Sequence, residues 1–213
     1  MANLLLETET QTSVEERIVH VGDRPIPFER FLEIAEGRYL DLVDGIVLER
    51  PMIQLDHERC SRWIYQVVGA FVQKRDLGEM LSSRIMVKID GFGGRMPDLL
   101  FVQKHRMDIV QQKAVYGAPD LVIEIVSPND HPSDLRALET DYFGLGVPEL
   151  VFIDLVKREI RQLQRQSESY AEAVITAGRV VFTTLPGMEL QADWILKEPR
   201  PDVFDTLSGL FAT

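Results

Sequence analysis

Residues 119–128 read PDLVIEIVSP, and this stretch decides the fold. The apolar run over residues 121–126 is typical of a strand that is covered on both faces, in the middle of a sheet between helices. Glu124 is the one charged residue inside the run. An ionised carboxylate in such a place costs several kcal/mol unless it is paired or bound to a cation. We therefore expect Glu124 to have a partner.

A second acid stands at the start of a similar segment, PDLLFV, over residues 97–102. Proline is tolerated at the first residue of a strand, so Asp98 is expected to begin one. If this strand neighbours the one that carries Glu124, the two carboxylates meet. Two carboxylates with waters suit a hard cation, Mg²⁺ or Mn²⁺. The alternative is structural: Glu124 pairs with an arginine or lysine of a helix, and Asp98 caps a turn.

The surrounding segments predict a three-layer fold. Apolar residues recur at helical spacing over residues 28–35, 55–76 and 133–143, with Ser133 as the N-cap of the third helix. Asp44-Gly45 predicts a hairpin turn between two β-prone runs. Residues 82–90 predict a strand before a glycine turn at 91–94, and residues 148–155 a buried strand before an antiparallel meander. Together they predict an α/β core, a mixed β-sheet flanked by helices.

Composition excludes several classes of protein. The chain has 213 residues, of which 45% are apolar and 27% charged, so it is neither disordered nor of low complexity. We expect an arm over residues 1–24, either mobile or an edge strand, and a single domain over residues 25–213. Its one cysteine, Cys60, excludes an intrachain disulfide and a cysteine zinc cluster.

The sequence also indicates where the protein is located and what its net charge is. The first residues lack the pattern of an export signal, and no window approaches the roughly 18 apolar residues of a membrane span. The expectation is a cytoplasmic protein without a membrane partner. Lys and Arg number 23 against 34 Asp and Glu, a net charge of −11. Because this charge repels polyanions, any contact with nucleic acid has to be local.

Several segments occur in a characteristic order: YLDLVDG, LDHERC, PDLLFV, APDLVIEIVSP, a helix, GVPELVFID and LPGMEL. In this combination the chain, from about Pro27 to Leu190, resembles the Uma-type restriction endonuclease family, a branch of the PD-(D/E)xK nuclease superfamily. The resemblance implies a restriction-endonuclease-like fold in which Asp98 and Glu124 hold Mg²⁺ or Mn²⁺. It also implies that Asp41 is a further acid of the site.

What the resemblance implies for function is the hydrolysis of DNA phosphodiester bonds by a metal-dependent endonuclease. DNA would be the partner, and a homodimer would cut both strands. The superfamily also has a lysine two residues after the second acid, where this chain has Val126. The Uma-type family moves its lysine to the next helix, in a D-x-x-x-K-x-x-x-Y pattern. Here that helical face reads Asp134, Leu138 and Tyr142, so the lysine is absent from both places.

Two other cations could replace the lysine. Lys88 alternates with Val87 and Ile89 and could face the site from a neighbouring strand, and Arg136 could wrap back around its helix. Each could equally be a surface cation. His57 either serves as a core or capping residue or lines the site. Without the lysine, the alternative function is a catalytically reduced member of the fold that acts as a binding or assembly module; a third interpretation is a hydrolase of small phosphoesters.

Overall fold

The apolar run of residues 121–126 forms a central strand of a mixed sheet. The computed structural model describes residues 18–20, 24–50, 54–82, 85–128 and 130–212. Among them, six strands form this main sheet in the order β12-β11-β10-β9-β7-β4. The strands are β4 (Gly78–Ser82), β7 (Leu99–Gln103), β9 (Leu121–Val126), β10 (Glu149–Asp154), β11 (Glu159–Arg165) and β12 (Tyr170–Ile175). Strands β9 and β10 are parallel, and the other neighbouring pairs are antiparallel.

The register of β7 against β9 brings the two predicted acids together. Leu99 of β7 pairs with Ile123 of β9 in an antiparallel ladder. Asp98, directly before β7, therefore lies beside Glu124. The prediction that the two acid-bearing strands are neighbours is confirmed.

Helices cover both faces of the main sheet. The helices are α1 (Phe28–Ile34), α2 (Leu55–Arg75), α3 (Pro132–Leu145), α4 (Ala192–Leu196) and α5 (Val203–Phe211), with a 3-10 helix over Lys104–Ile109. On one face, α2 packs Ile64 and Phe71 into a core with Ile123. On the other, Tyr142 of α3 packs with Val122. This arrangement confirms the predicted three-layer core.

A second sheet lies beside the main one and carries the predicted hairpin. Its order among the described residues is β1-β3-β2-β6-β5-β8. The strands are β1 (Ile18–His20), β2 (Leu40–Val43), β3 (Ile46–Glu49), β5 (Met86–Lys88), β6 (Gly94–Arg95) and β8 (Ala114–Val115). Asp44 and Gly45 both have positive φ, 50° and 76°, as the tightest hairpin turns require.

Three local predictions need correction. The N-cap of α3 is His131 and not Ser133, because Pro132 takes the first helical position and the His131 side chain accepts the Ser133 N–H. Gly94 belongs to a strand and not to the turn. The last part of the meander, β13 (Arg179–Val181), pairs with β14 (Glu189–Gln191) and not with β12.

The N-terminal arm is described over Ile18–His20, where it forms β1 at the edge of the second sheet, and at Arg24. The edge-strand interpretation holds for β1, and the rest of the predicted arm, 1–17 and 21–23, lies outside the described residues. The boundary between arm and domain stays a prediction. None of the described helices is both long and apolar enough to span a membrane.

Candidate active site

Asp98 and Glu124 meet where β7 begins and β9 is most buried. The backbone N–H of Asp98 donates a hydrogen bond of 3.3 Å to Glu124 Oε2. The two residues are only 7% and 3% exposed. Two acids in such a place repel each other, so their surroundings decide which of them is ionised.

Glu124 has two side-chain partners besides this backbone contact. The Tyr142 hydroxyl donates a hydrogen bond of 2.8 Å to Oε1, and Nη2 of Arg50 lies 3.8 Å from Oε2. Burial and the negative charge of Asp98 nevertheless raise the pKa of Glu124 to about 8, against the opposing effects of Arg50 and Tyr142. The expectation that a carboxylate at this position has partners is confirmed.

Asp98 is the acid that the site keeps ionised. Its Oδ2 accepts a hydrogen bond of 2.8 Å from the Ile125 N–H and lies 3.0 Å from Nε2 of His57. Burial works against ionisation, but the contact with His57 and the positive charge of Arg50 outweigh it and hold the pKa of Asp98 below its ordinary value. His57, in the first turn of α2, therefore lines the site and is more than a capping residue.

Asp41 reaches the same region from β2 of the second sheet. Its Oδ1 accepts the Met96 N–H at 3.3 Å, and its Oδ2 lies 3.7 Å from Nη1 of Arg95. Asp141 of α3 accepts two further contacts from Arg95, of 2.7 Å from Nε and 2.6 Å from Nη2. The Arg95 guanidinium is therefore surrounded by acids.

A cavity of about 330 Å³ lies beside Glu124 and several of the neighbouring charged side chains. Asp41, His57 and Glu124 line it together, with Arg50 and Arg95 among the other lining residues. The site is thus built where the two sheets and α3 come together, and it combines carboxylates with guanidinium groups.

The predicted face of α3 does point to this site. Asp134 and Leu138 line the cavity, and Tyr142 contacts Glu124. The position between the acid and the tyrosine is apolar, so α3 supplies no cation from this face.

Neither replacement cation named from the sequence is brought to the carboxylates. Nζ of Lys88 lies 3.0 Å from Glu29 and over the rings of Phe28 and Tyr116, on the second sheet. Arg136 lines a different cavity of about 540 Å³ on the other side of the loop after β9.

Sequence reasoning missed the two arginines that the structure does bring to the site. Arg50 follows β3, where side chains alternate between faces: Leu48 is buried and lines the cavity, Glu49 is exposed, and Arg50 turns back to the cavity. This alternation along β3 was the signal in the sequence from which Arg50 could have been placed at the site. Arg95 lies in a strand of two residues, which is too short to show any period.

The carboxylates fit a divalent cation that binds through few protein ligands. No group of three or more His, Cys, Asp or Glu side chains arranged to hold a metal occurs in the part of the chain that the structure describes. Mg²⁺, however, is commonly bound by one or two carboxylates and several waters. Asp98 and Glu124 lie side by side, and Glu124 lines the cavity, so their carboxylates are the residues that would hold such an ion.

Comparison with known proteins identifies the family. The model of the Uma2 family, described as "Putative restriction endonuclease", matches residues 28–193. A solved structure, described as "a putative nuclease belonging to DUF820" from Anabaena variabilis ATCC 29413, is similar with a TM-score of 0.67 at 18% identity. The similarity covers 87% of this chain and 99% of that one, and supports a restriction-endonuclease-like fold. No curated protein matches the chain. With the family model spanning most of its length, the chain belongs to the Uma2 family.

Proposed function

We propose that this protein is a divalent-metal-dependent endonuclease that hydrolyses DNA phosphodiester bonds at the site of Asp98 and Glu124. The observation that carries the proposal is the hydrogen bond from the Asp98 backbone N–H to Glu124 Oε2, which places the two acids side by side next to a cavity lined by Glu124 and Asp41. Membership of the Uma2 family supports nuclease activity in general. Metal dependence and the choice of DNA as the substrate are more specific than family membership, and they are part of the proposal.

Asp98 and Glu124 would hold the ion, Mg²⁺ or Mn²⁺. When bound, such an ion activates water and neutralises charge on the phosphate oxygens during hydrolysis. The protein keeps the two carboxylates in place before any substrate arrives. Tyr142 fixes one oxygen of Glu124, while His57 and the Ile125 N–H fix Oδ2 of Asp98. Such preorganisation lowers the cost of binding and reaction.

The negative net charge limits how DNA can approach. At −11 the chain repels DNA at long range, so we expect contact only around the cavity and a strong dependence of binding on salt. A homodimer that places two cavities on one duplex is part of the proposal, and so is a cytoplasmic location. Sedimentation of the protein with and without duplex DNA tests the dimer.

The proposal is tested by two measurements on the same variants. Calorimetric titration with Mn²⁺ should give heat with wild type and little with Glu124→Gln or Asp98→Asn. Nicking of supercoiled plasmid in Mn²⁺ should be lost in both. Asp154→Asn is a matched control, because Asp154 is a buried acid at the end of the neighbouring strand β10 and, among the described residues, contacts the turn that follows it. Wild type that binds Mn²⁺ no better than Glu124→Gln would contradict the proposal.

A second candidate function rests on Leu138. This apolar residue lines the cavity between Asp134 and Tyr142, where the resemblance places a lysine. A member that has lost its catalytic cation would keep the fold as a binding or assembly module. Leu138→Lys separates the two: cutting that appears only in the variant favours the reduced module, and cutting by wild type favours the endonuclease.

A further inference from the structure

Arg50 is the arginine that lies beside the buried carboxylate of Glu124. It follows β3, and Nη1 of its guanidinium donates a hydrogen bond to the Met96 carbonyl oxygen. Nη2 lies 3.8 Å from Glu124 Oε2. The Arg50 side chain is 23% exposed, whereas that of Glu124 is 4% exposed. The guanidinium therefore extends from the buried acid to the open part of the cavity.

The contact with Glu124 occupies only part of the hydrogen-bonding capacity of the Arg50 guanidinium. A charge-assisted hydrogen bond between arginine and carboxylate is about 2.7–2.9 Å long, and the distance here is clearly longer. The guanidinium has five N–H donors. Within the described residues one of its nitrogens is hydrogen-bonded, to Met96. Donors are thus left for a ligand that enters the cavity.

Arg95, the other arginine that lines the cavity, has its side-chain nitrogens close to acidic partners. Asp141 accepts from two of its nitrogens at 2.7 and 2.6 Å, and Asp41 lies 3.7 Å from the third. Its side chain is only 7% exposed. Arg95 therefore holds β6, β2 and α3 together and has little left to offer a substrate.

We propose that Arg50 is a catalytic residue that binds the phosphate being cleaved and stabilises its negative charge. The inference rests on the proposed nuclease function. It assigns the missing positive charge to Arg50 at the end of β3, in the cavity that Leu138 also lines, and not to α3 or to Lys88. Arginine suits this task because its planar fork of donors matches the oxygens of a phosphate.

The charge balance of hydrolysis explains why such a residue is needed. One P–O bond forms from water and one P–O bond to a sugar oxygen breaks, while the water loses a proton and the leaving oxygen gains one. Between these events the phosphoryl oxygens carry additional negative charge. Asp98 and Glu124 would balance the charge of a divalent ion that they held, so a further cation would stabilise the transition state. Arg50 is the group with donors left to do so.

The test compares Arg50→Met, Arg50→Lys and Arg136→Met. The last is a matched control, because it removes the same charge from the neighbouring cavity. Plasmid nicking in Mn²⁺ should slow about 10²–10³-fold in Arg50→Met, as when one donor to a developing oxyanion is removed. Arg50→Lys should keep more activity, and Arg136→Met should cut as wild type does.

Two readouts separate phosphate binding from a structural role. Anisotropy of a short fluorescein-labelled DNA duplex in Ca²⁺ should show about tenfold weaker binding by Arg50→Met. The Mn²⁺ affinity of this variant should be equal to or higher than that of wild type, because a cation beside Glu124 has been removed. The double variant Arg50→Met with Leu138→Lys should regain cutting, since residue 138 lines the same cavity.

Three results would overturn the inference. The first is Arg50→Met cutting and binding DNA as wild type does. The second is a loss of cutting that only parallels a loss of Mn²⁺ heat or of folded protein, which would make Arg50 a structural partner of Glu124. The third is a wild type that does not bind the duplex in Ca²⁺. If wild type binds the duplex through Arg50 but does not cut, the proposed nuclease function fails and the phosphate contact stands.

Discussion

The Tyr142 hydroxyl donates a hydrogen bond of 2.8 Å to Oε1 of Glu124, and this contact joins helix α3 to the middle of the main sheet. Tyr142 is fully buried. Burial and the charge of Glu124 raise the pKa of the tyrosine well above its ordinary value, so its hydroxyl keeps its proton at neutral pH. The contact stabilises the ionised form of Glu124.

Tyr142→Phe should destabilise the protein by about 1–3 kcal/mol, because it removes a hydrogen bond to a buried acid. It should also move the binding of Mn²⁺ to higher pH, since Glu124 loses a group that favours its charged form. Urea unfolding and calorimetry at several pH values measure the two effects. Tyr170→Phe is the control: its hydroxyl bonds the Val147 carbonyl oxygen, so stability falls while Mn²⁺ binding is unchanged. Equal pH dependence of Mn²⁺ binding in Tyr142→Phe and wild type would contradict this role.

Glu124 should make the metal-free protein less stable as the pH rises. Its pKa is about 8 in the folded protein and near 4.5 in the unfolded chain, so between these values the folded state holds more protons. Stability therefore falls as the pH rises through this window. Asp98 does not share this effect, because its pKa is lowered and it changes charge only at more acidic pH.

The measurement is urea unfolding in a chelator at pH values from about 5 to about 9. Wild type should lose a few kcal/mol, since one pKa unit corresponds to about 1.4 kcal/mol. Glu124→Gln should lose much less, and added Mn²⁺ should reduce the loss in wild type. A drop of the same size in Glu124→Gln would assign the effect to another group.

His57 should act on the metal site through Asp98. Its Nε2 lies 3.0 Å from Asp98 Oδ2, and groups that hold a metal ligand in place commonly contribute 10–100-fold to metal affinity. His57→Gln should therefore weaken Mn²⁺ binding by about 10-fold or more. His105→Gln, on the exposed side of the 3-10 helix, should bind Mn²⁺ as wild type does. Unchanged Mn²⁺ affinity in His57→Gln would leave the histidine with a packing role.

The hairpin that carries Asp41 should depend on Gly45. Gly45 has φ +76°, and a Cβ there would lie 2.6 Å from Pro25 Cα and 2.8 Å from the Ile26 nitrogen. Gly45→Ala should therefore cost more than about 2 kcal/mol, as backbone strain and a clash with backbone add up. Gly37→Ala has a similar φ of +73° and open space, so it should cost only about 1 kcal/mol. Urea unfolding of both variants checks the difference, and equal losses would show that the clash is relieved.

The sequence predicted the parts of the site that lie on regular elements. Asp98 and Glu124 could be paired because a buried strand cannot keep an isolated acid, and because two similar apolar runs suggested neighbouring strands. Asp41 was expected at the site from the resemblance to the Uma-type family, while the turn chemistry of Asp44-Gly45 predicted only its hairpin. The resemblance also pointed to Asp134, Leu138 and Tyr142, and a spacing of four puts these residues on one face of a helix.

The sequence did not predict which cation faces the acids. Lys88 was reasonable from alternation along its own strand, yet that strand belongs to the second sheet and its lysine pairs with Glu29. Arg50 reaches Glu124 only because the end of β3 lies beside Met96 and β9, and these contacts are long-range. The same reason explains β13, which pairs with β14 and not with β12.

Local pattern was thus sufficient for most strands, the principal helices and the two buried acids, because spacing and turn residues act over a few positions. It did not predict β4, an edge strand of the main sheet. The protonation of Glu124, the contact of His57 with Asp98, and the choice of Arg50 over Lys88 were decided by tertiary structure. Charges in a buried site interact over several ångströms irrespective of their distance along the chain. Their effect is therefore defined only once the two sheets and α3 have come together.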